Sequence, residues 1–343
     1  MASLPPTAQP QQANVAAIAL ALEDGTDLAD KVNPRLISLT ITESREDKAD
    51  QLEITLHNTD GRLAPIQEGA VLTLKLGWLR GSEVRAGLVD KGRFKVDEVE
   101  ESGPPDLVTI RARSADLTGK YRKRRDKGHR DTTLGAVVRK IAGANGLTAK
   151  VHASLASKPI AFAEQAGKSD MAFVMDLGRR YDAIATVKDK TLIFAPAGEG
   201  ESGSGKALPA LTLTKRHGCN WRFTTEKRGE HDGAEAQWHD RRAARTKTAK
   251  AGGTSNPRRL KRTFATEAEA KQAAEAAHSR DKRGKHSFTY DLALGDAAIE
   301  PERPVTLSGW NSRIDGIKWL VKEASHTFDA SGLQTRITLE SKG

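Results

Sequence analysis

The chain has one cysteine, Cys219, in 343 residues. A single thiol excludes an intramolecular disulfide framework and any Cys-rich zinc module, and it fits synthesis in a reducing compartment. Long apolar runs are missing as well. The longest, Val15 to Leu22, is far short of the ~20 residues a membrane-spanning helix needs. No Lys or Arg precedes Lys31, so the N-terminus lacks the basic region of a secretory signal. These absences predict no membrane insertion, and export only if something carries the chain out whole.

Catalytic signatures are also absent. There is no G-x-S-x-G, P-loop or H-E-x-x-H. GSGKA (203–207) lacks the first half of a P-loop and the hydroxyl residue after Lys206. Asp97–Glu98 and Glu100–Glu101 are adjacent carboxylates, and neighbours on a strand point to opposite faces, so they do not converge on a substrate. His217, Cys219, His231 and His239 match no zinc spacing, and nothing orients Cys219 with His217 or His231 as a nucleophile and base. The expectation is a non-enzyme with no cofactor and no metal.

What is present is an ordinary folded composition, 37% apolar with 30 glycines, and a length that suits two or three domains. Residues 1–14, rich in Pro and Gln, read as a flexible arm. Charge is unevenly placed. Residues 208–290 hold the entire +10, and the rest of the chain is neutral. The densest part is Arg241, Arg242, Arg245, Lys247, Lys250, Arg258, Arg259, Lys261 and Arg262, with no acid between its ends. Rich in Gly, Ala, Thr and Ser, it predicts a long mobile loop contacting a polyanion or an acidic partner surface. The bland alternative is a solvated loop with no partner. No aromatic residue lies between Trp238 and Phe264 to stack on bases, so no specific nucleic acid is expected.

Periodicity divides the rest. Period-2 alternation marks strands at Ile37-Leu39-Ile41, 52–56, 72–76, 94–96 and 108–112, after VAAIALAL and an Asp24-Gly25 hairpin turn. This is a first β-barrel domain over 15–115. At Asp116 the pattern changes. Leu134, Val137, Val138 and Ile141 form one helix face, and Ser169-Asp170 caps a second helix before two strands around Lys188-Asp189-Lys190. That is an α+β unit over 116–206, closed by the Gly/Ser linker GEGESGSGK (198–206). A second barrel over 207–343 follows, with strands near 211–213, 221–223, Phe288–Leu294, 305–307, Ile317–Val321 and 333–339. It carries an insertion at about 240–284 made of the basic loop and a helix capped by Thr266 with Glu269. The predicted class is mainly β with an α+β insertion: two related antiparallel β-barrels flanking a small α+β domain.

Four segments in this order resemble the phage late control D family, the hub proteins of contractile tails, which also covers the hub part of type VI secretion spikes. They are LTITESREDKADQLEITLHNTDGRLAPIQEGAVLTLKLGW (39–78) with GRFKVDEVEESGPPDLVTIRARSADL (92–117), TLGAVVRKIAGANGL (133–147), AEQAGKSDMAFVMDLGRRYDAIATVKDKTLIF (163–194) and IDGIKWLVKEASHTFDASGLQTRITLES (314–341). The resemblance spans about residues 15 to 341. It implies a homotrimer in which two barrels per chain make six similar units, matching a hexameric tail tube protein on one side and a threefold tail spike protein on the other. It further implies baseplate wedge and tape measure proteins as partners, and a place in the virion tail baseplate after assembly in the host bacterial cytoplasm. Because Gly343 follows the last hub strand, a separate spike chain is expected rather than a fused needle, and cell-wall hydrolysis is expected in another protein. The family name does not imply transcription control. The alternatives are a nucleic-acid-binding protein acting through 241–262 and a cell-wall hydrolase.

Overall fold

A computed structural model describes residues 12–45, 49–64, 66–114, 121, 123–188, 190–225 and 231–342. Most of the arm and the change of pattern at Asp116 lie outside them, as does Asp189. The first part of the chain forms β1 (Val15–Leu22), the one-turn helix α1 (Ala29–Val32), β2 (Leu36–Ser44), β3 (Gln51–His57), β4 (Val71–Arg80), β5 (Gly87–Ser102) and β6 (Leu107–Ser114). Next come β7 (Arg124–Thr133), α2 (Leu134–Ala144), β8 (Thr148–Val151), α3 (Ala153–Ala156), β9 (Pro159–Ser169), α4 (Asp170–Tyr181), β10 (Ala183–Lys188) and β11 (Thr191–Pro196). The last part is β12 (Leu211–Thr214), β13 (Gly218–Thr225), β14 (Gly233–Asp240), β15 (Arg245–Gly252), β16 (Pro257–Phe264), α5 (Glu267–Arg283), β17 (His286–Leu292), β18 (Pro304–Ser308), α6 (Ser312–Asp315), β19 (Trp319–Asp329) and β20 (Gly332–Ser341).

The two β parts are one sheet. Its hydrogen-bonded order is β1-β4-β5-β6-β3-β2-β19-β20-β17-β13, with β18 and β12 branching from β19. Hydrogen-bonded closure into a barrel is not seen on either side among the described residues; each half is a curved, mainly antiparallel sheet around its own core. Leu39, Ile41, Ile54, Leu72, Leu74, Phe94 and Ile110 fill the first core, and Phe288, Tyr290, Trp319, Val321 and Ile337 the second. Ala297 and Leu333, which belong to the second β part, pack into the first core, and the Trp78 indole donates to the Gly295 carbonyl at 2.8 Å. The halves therefore share buried surface as well as a ladder.

The seam of the sheet is β2 against β19, antiparallel from Glu323↔Ser44 to Asp329↔Ser38. Side chains alternate across it. Thr40 faces Thr327 at 3.2 Å and Thr42 faces Ser325 at 3.3 Å on the outer face. Leu39 with Phe328, Ile41 with His326, and Glu43 with Ala324 meet on the inner face. Ile37 departs from the predicted alternation. A bulge between Leu36 and Ser38 turns it outward, where it is 43% exposed.

The α+β unit has its own core of α2, α4 and the β10-β11-β8 sheet. Thr133 and Ser169 cap the two helices. Asp170, buried at the start of α4, accepts from Asn145 at 2.9 Å and from Gln165 at 2.8 Å. That gives the Gln and Ser-Asp of the third family-like segment a structural reason. The segment 198–206 is not a free linker. Gly198 N–H donates to Glu302 at 2.8 Å, Glu201 meets His152 at 3.0 Å, and Ser202 to Lys206 close a tight turn. Gly198, Gly200 and Gly203 fall at a G-x-G-x-x-G spacing, but the segment runs into β12 with no helix after it, so no dinucleotide loop forms.

Three more expectations need correction. The Asp24-Gly25 turn forms, but β1 pairs with β4 rather than with the next strand. Ile317 lies before β19, outside the strand predicted for it, and is half-buried against the core that holds Trp319. Leu294 lies past the end of β17 and is exposed.

Trp319 is enclosed by Phe288 and Phe223, and its indole donates to the Ile314 carbonyl at 3.1 Å. Trp319→Ala should cost ~3–5 kcal/mol, whereas Ile37→Thr should change stability by less than ~0.5 kcal/mol. Guanidinium unfolding followed by circular dichroism checks both, and equal costs would contradict the bulge at Ile37.

Candidate assembly site: a buried ionic junction and a basic ribbon

The inward alternation of β2 runs Leu39, Ile41 and then Glu43, a carboxylate only 1% exposed. A buried charge of this kind needs partners. Lys91 supplies the first, its ammonium donating to Glu43 Oε2. Lys91 reaches inward because of a second bulge: Leu74 pairs with Gly92 and Lys75 with Asp90, so Lys91 is the extra residue. Gly92 adopts φ +89°, a left-handed conformation that a side chain would strain.

His326 arrives from β19, fully buried and opposite Ile41. Its Nε2 lies 3.5 Å from Glu43 Oε2 and 3.2 Å from the Ile299 carbonyl, and its Nδ1 lies 2.9 Å from Thr335 Oγ1. Thr335 Oγ1 also accepts from Asp296 N–H at 3.0 Å. The Lys91 ammonium lies 3.3 Å from the same Nε2, so the ring stands among Lys91, Glu43, Ile299 and Thr335. Burial lowers the His326 pKa despite the Glu43 contact, which keeps the ring neutral.

Lys188 of β10 brings in the third part of the chain, 3.4 Å from Glu43 Oε1 and 3.7 Å from Glu300. Burial pushes the Glu43 pKa up, but the His326 contact and the Lys91 and Lys188 charges outweigh it and hold it at about 2. Burial, then the Glu43 charge, pushes nearby Asp50 up to about 6. A cavity of about 180 Å³ adjoins them, lined in part by Ile193, Glu201 and Glu300.

A second ionic set begins one residue past the end of β2. Arg45 pairs with Glu302 at 2.9 Å and with Glu340 at 2.5 Å. Burial opposes the Arg45 charge, and the two carboxylates more than offset it. Glu340 also lies 3.6 Å from Arg283 at the end of α5, and Arg283 holds Asp182, the left-handed cap of α4, at 2.7 Å. Between them the two sets tie β2, β5, β10, β19, β20 and the ends of α4 and α5 together. The sequence reading gives none of these residues a site role, and it places Lys188 in a turn rather than at the end of β10. A charged residue at an inward position of an apolar alternation, as at Glu43 and His326, was the available signal; Arg283 offered none.

The nine basic candidates do not form a mobile loop. Antiparallel β14-β15 and parallel β14-β16 pairing makes a three-stranded ribbon. Its Ala234, Ala236, Ala249 and Phe264 pack on Ala270, Ala273, Ala274 and Ala277 of α5. Small side chains on both surfaces let helix and sheet approach closely. The folded insertion thus begins at Gly233, earlier than expected. Lys247 pairs with Asp240 at 2.6 Å and covers the Trp238 ring; Arg258 pairs with Asp281 at 2.8 Å, and Arg259 with Glu235. Arg262 lies over Phe264. Arg241, Arg242, Arg245, Lys250, Lys261 and Arg262 have no ion-pair partner among the described residues. His217, Cys219, His231 and His239 do not come together, and no group of three or more possible metal ligands occurs among the described residues.

Lys91→Met strands the Glu43 charge and should cost ~3–5 kcal/mol, and adding Glu43→Met should recover most of it. Asp50, whose pKa is higher folded than unfolded, contributes stability below pH 4 that is lost as pH rises through 6. Asp50→Asn should therefore raise the melting temperature at pH 7.5, with the gain vanishing at pH 4. Glu43 has the opposite sign: its contribution is present above pH 4.5 and is lost only as pH falls toward 2. Thermal melts across pH check each.

No protein-family model matches the chain. It is 37% identical to a protein of Escherichia phage 186 named "probable baseplate hub protein", over 92% of this chain and 90% of that one. It is 36% identical to the protein of the same name from Escherichia phage P2, over 92% and 91%. The fold is similar to the 43 kDa tail protein of prophage MuSo2 from Shewanella oneidensis (TM-score 0.67, 15% identity, 95% and 98% of the two chains). It is also similar to a tail protein from Neisseria meningitidis (TM-score 0.69, 11% identity, 95% and 97%). Identity of more than a third across nine-tenths of both phage relatives places this chain in the late control D family of phage tail baseplate hub proteins.

Proposed function

We propose that the chain is a non-enzymatic structural protein of a contractile phage tail or tail-like particle. Three copies form the baseplate hub and join a hexameric tail tube to a threefold spike. The observation that carries this reading is the β2–β19 ladder, which fuses two β units of one chain into a single sheet. A trimer of such chains presents six β units in fixed relation, which is what a joint between sixfold and threefold objects requires. The buried ionic sets support the same reading, since they restrain the angle between the units. Tail spike, tube, wedge and tape measure proteins are the proposed partners, and the virion tail baseplate is the proposed location. Nothing in the ribbon favours nucleic acid: several of its cations are paired internally, and the Trp238 and Phe264 rings carry their own cations.

Quantitative peptide mass spectrometry on sedimented particles tests this. The chain should travel with tube and sheath proteins, at about one copy for every two subunits of a tube ring. A protein that stays in the supernatant while particles sediment would contradict the proposal.

A further inference from the structure

The insertion belongs to neither half of the large sheet. β14, β15 and β16 pair only with one another, and their buried residues meet only the alanines of α5. The other three cores contain no residue of this module. α5 fixes it in place through Arg283, which holds Asp182 of the α+β unit and lies near Glu340 of β20. A folded, anchored module that fills no other core contributes its outer face.

Alternation decides what that face presents. Ala234, Ala236 and Trp238 turn toward α5, so Glu235, Gln237 and His239 turn away. Register sets Lys250 and Arg259 on either side of Glu235, and Thr248 and Thr263 on either side of Gln237. Of these outward residues only Glu235 is buried. Lys261 is exposed in the bulge of β16 between Arg259 and Thr263. None of these side chains is apolar.

The charge is one-sided. Glu235 is the one carboxylate of the face, and Arg259 already holds it. At the β14–β15 turn Lys247 holds Asp240, which also accepts from the Arg242 and Ala243 amides. Arg241, Arg242, Arg245, Lys250 and Lys261 keep no ion pair among the described residues. They span the face from its turn to Lys250, five residues of strand or roughly 17 Å. The ribbon is held by α5, so these cations stand on a rigid frame and cost little ordering when a partner arrives.

The same face selects the class of partner. Trp238 and Phe264 turn toward α5, each with a cation over its ring, so no base can stack on them. A carboxylate at the centre, Glu235, opposes a continuous phosphate chain. It suits a protein surface, where neutral donors meet Glu235, Gln237 and the two threonines while carboxylates meet the cations. We propose that the outer face and turn of the ribbon bind an acidic surface of another protein of the tail particle. This rests on the hub reading and assigns the ribbon its partner. Single exposed ion pairs contribute little, whereas five together steer the approach and fix the orientation of the two proteins.

Photo-crosslinking tests it. p-Benzoylphenylalanine takes the place of Thr248 in the full chain, particles are irradiated and sedimented, and cross-linked peptides are identified by mass spectrometry. The expected product joins the ribbon to a segment of another protein in which Asp and Glu outnumber Lys and Arg. Arg242→Glu, Lys250→Glu and Lys261→Glu together should lower its yield per culture ~10-fold. Circular dichroism should stay unchanged, because all three residues are exposed and outside the alanine core. The neutral set Arg242→Gln, Lys250→Gln and Lys261→Gln should fall between the two. A cross-link to nucleic acid overturns the proposal in favour of phosphate binding. So does a cross-link to this chain itself or to a neutral or basic segment, in favour of a different contact. A yield indifferent to charge reversal, or no cross-link from particles that contain the chain, also overturns it and leaves the hub reading standing. A chain that stays in the supernatant while particles sediment overturns the hub reading, and this proposal with it.

Discussion

The β2–β19 ladder is the constraint on which the rest depends. Two hairpins, β2-β3 and β19-β20, meet along it and align both cores on one inner face. A strand that slipped by one residue would turn every inward side chain outward. Leu39 and Ile41 alone would resist that by losing apolar contact. Glu43 and His326 resist it far more sharply, because a slip would leave Lys91 buried without its carboxylate. Apolar pairs tolerate a range of registers; a buried carboxylate with three partners from three parts of the chain accepts one.

That logic extends outward through bulges. The bulge at Lys91 and the one at Ile37 each reverse which face a strand presents, the first on β5, from which Lys91 reaches Glu43 of the seam, and the second on β2 itself. One brings a charge in and the other sends an apolar side chain out. Arg45, two residues past Glu43, repeats the device with Glu302, Glu340 and Arg283, so both ends of the seam's polar stretch are tied to the α+β unit or to α5. In the proposed hub this rigidity has a purpose. A joint between two symmetries works only if the two units within a chain keep a fixed angle under load.

The basic segment shows how composition can mislead. Gly, Ala, Thr and Ser among nine cations have the character of an unstructured loop, yet the alanines are the apolar face of a ribbon. A methyl group registers weakly in any hydrophobic periodicity, so Ala234, Ala236, Ala249 and Ala251 gave little signal against the cations between them. The partner that makes this face useful is the alanine stripe of α5, reached only after the turn at Phe264. The charge that remains unpaired gathers around the β14–β15 turn and on Lys250, Lys261 and Arg262, a smaller and differently shaped surface than the sequence suggested.

Much of the architecture was written locally. Period-2 runs such as 52–56 and 333–339, the caps at Thr133, Ser169 and Thr266, and the apolar face of α2 depend on neighbours within a few residues. The order of β, α+β and β elements could therefore be read directly, and with it the likeness to tail hubs. What lay beyond reach was decided by partners hundreds of residues away. Glu43 and His326 are 283 positions apart, and nothing in either local pattern says that β2 and β19 adjoin. Whether a charge in an apolar alternation marks a strand end or a buried ion pair depends on what stands opposite, and only the folded chain supplies that. The single sheet and the ionic junction at its seam are products of tertiary pairing, because a strand's sequence sets which faces it has and its neighbours decide what those faces meet.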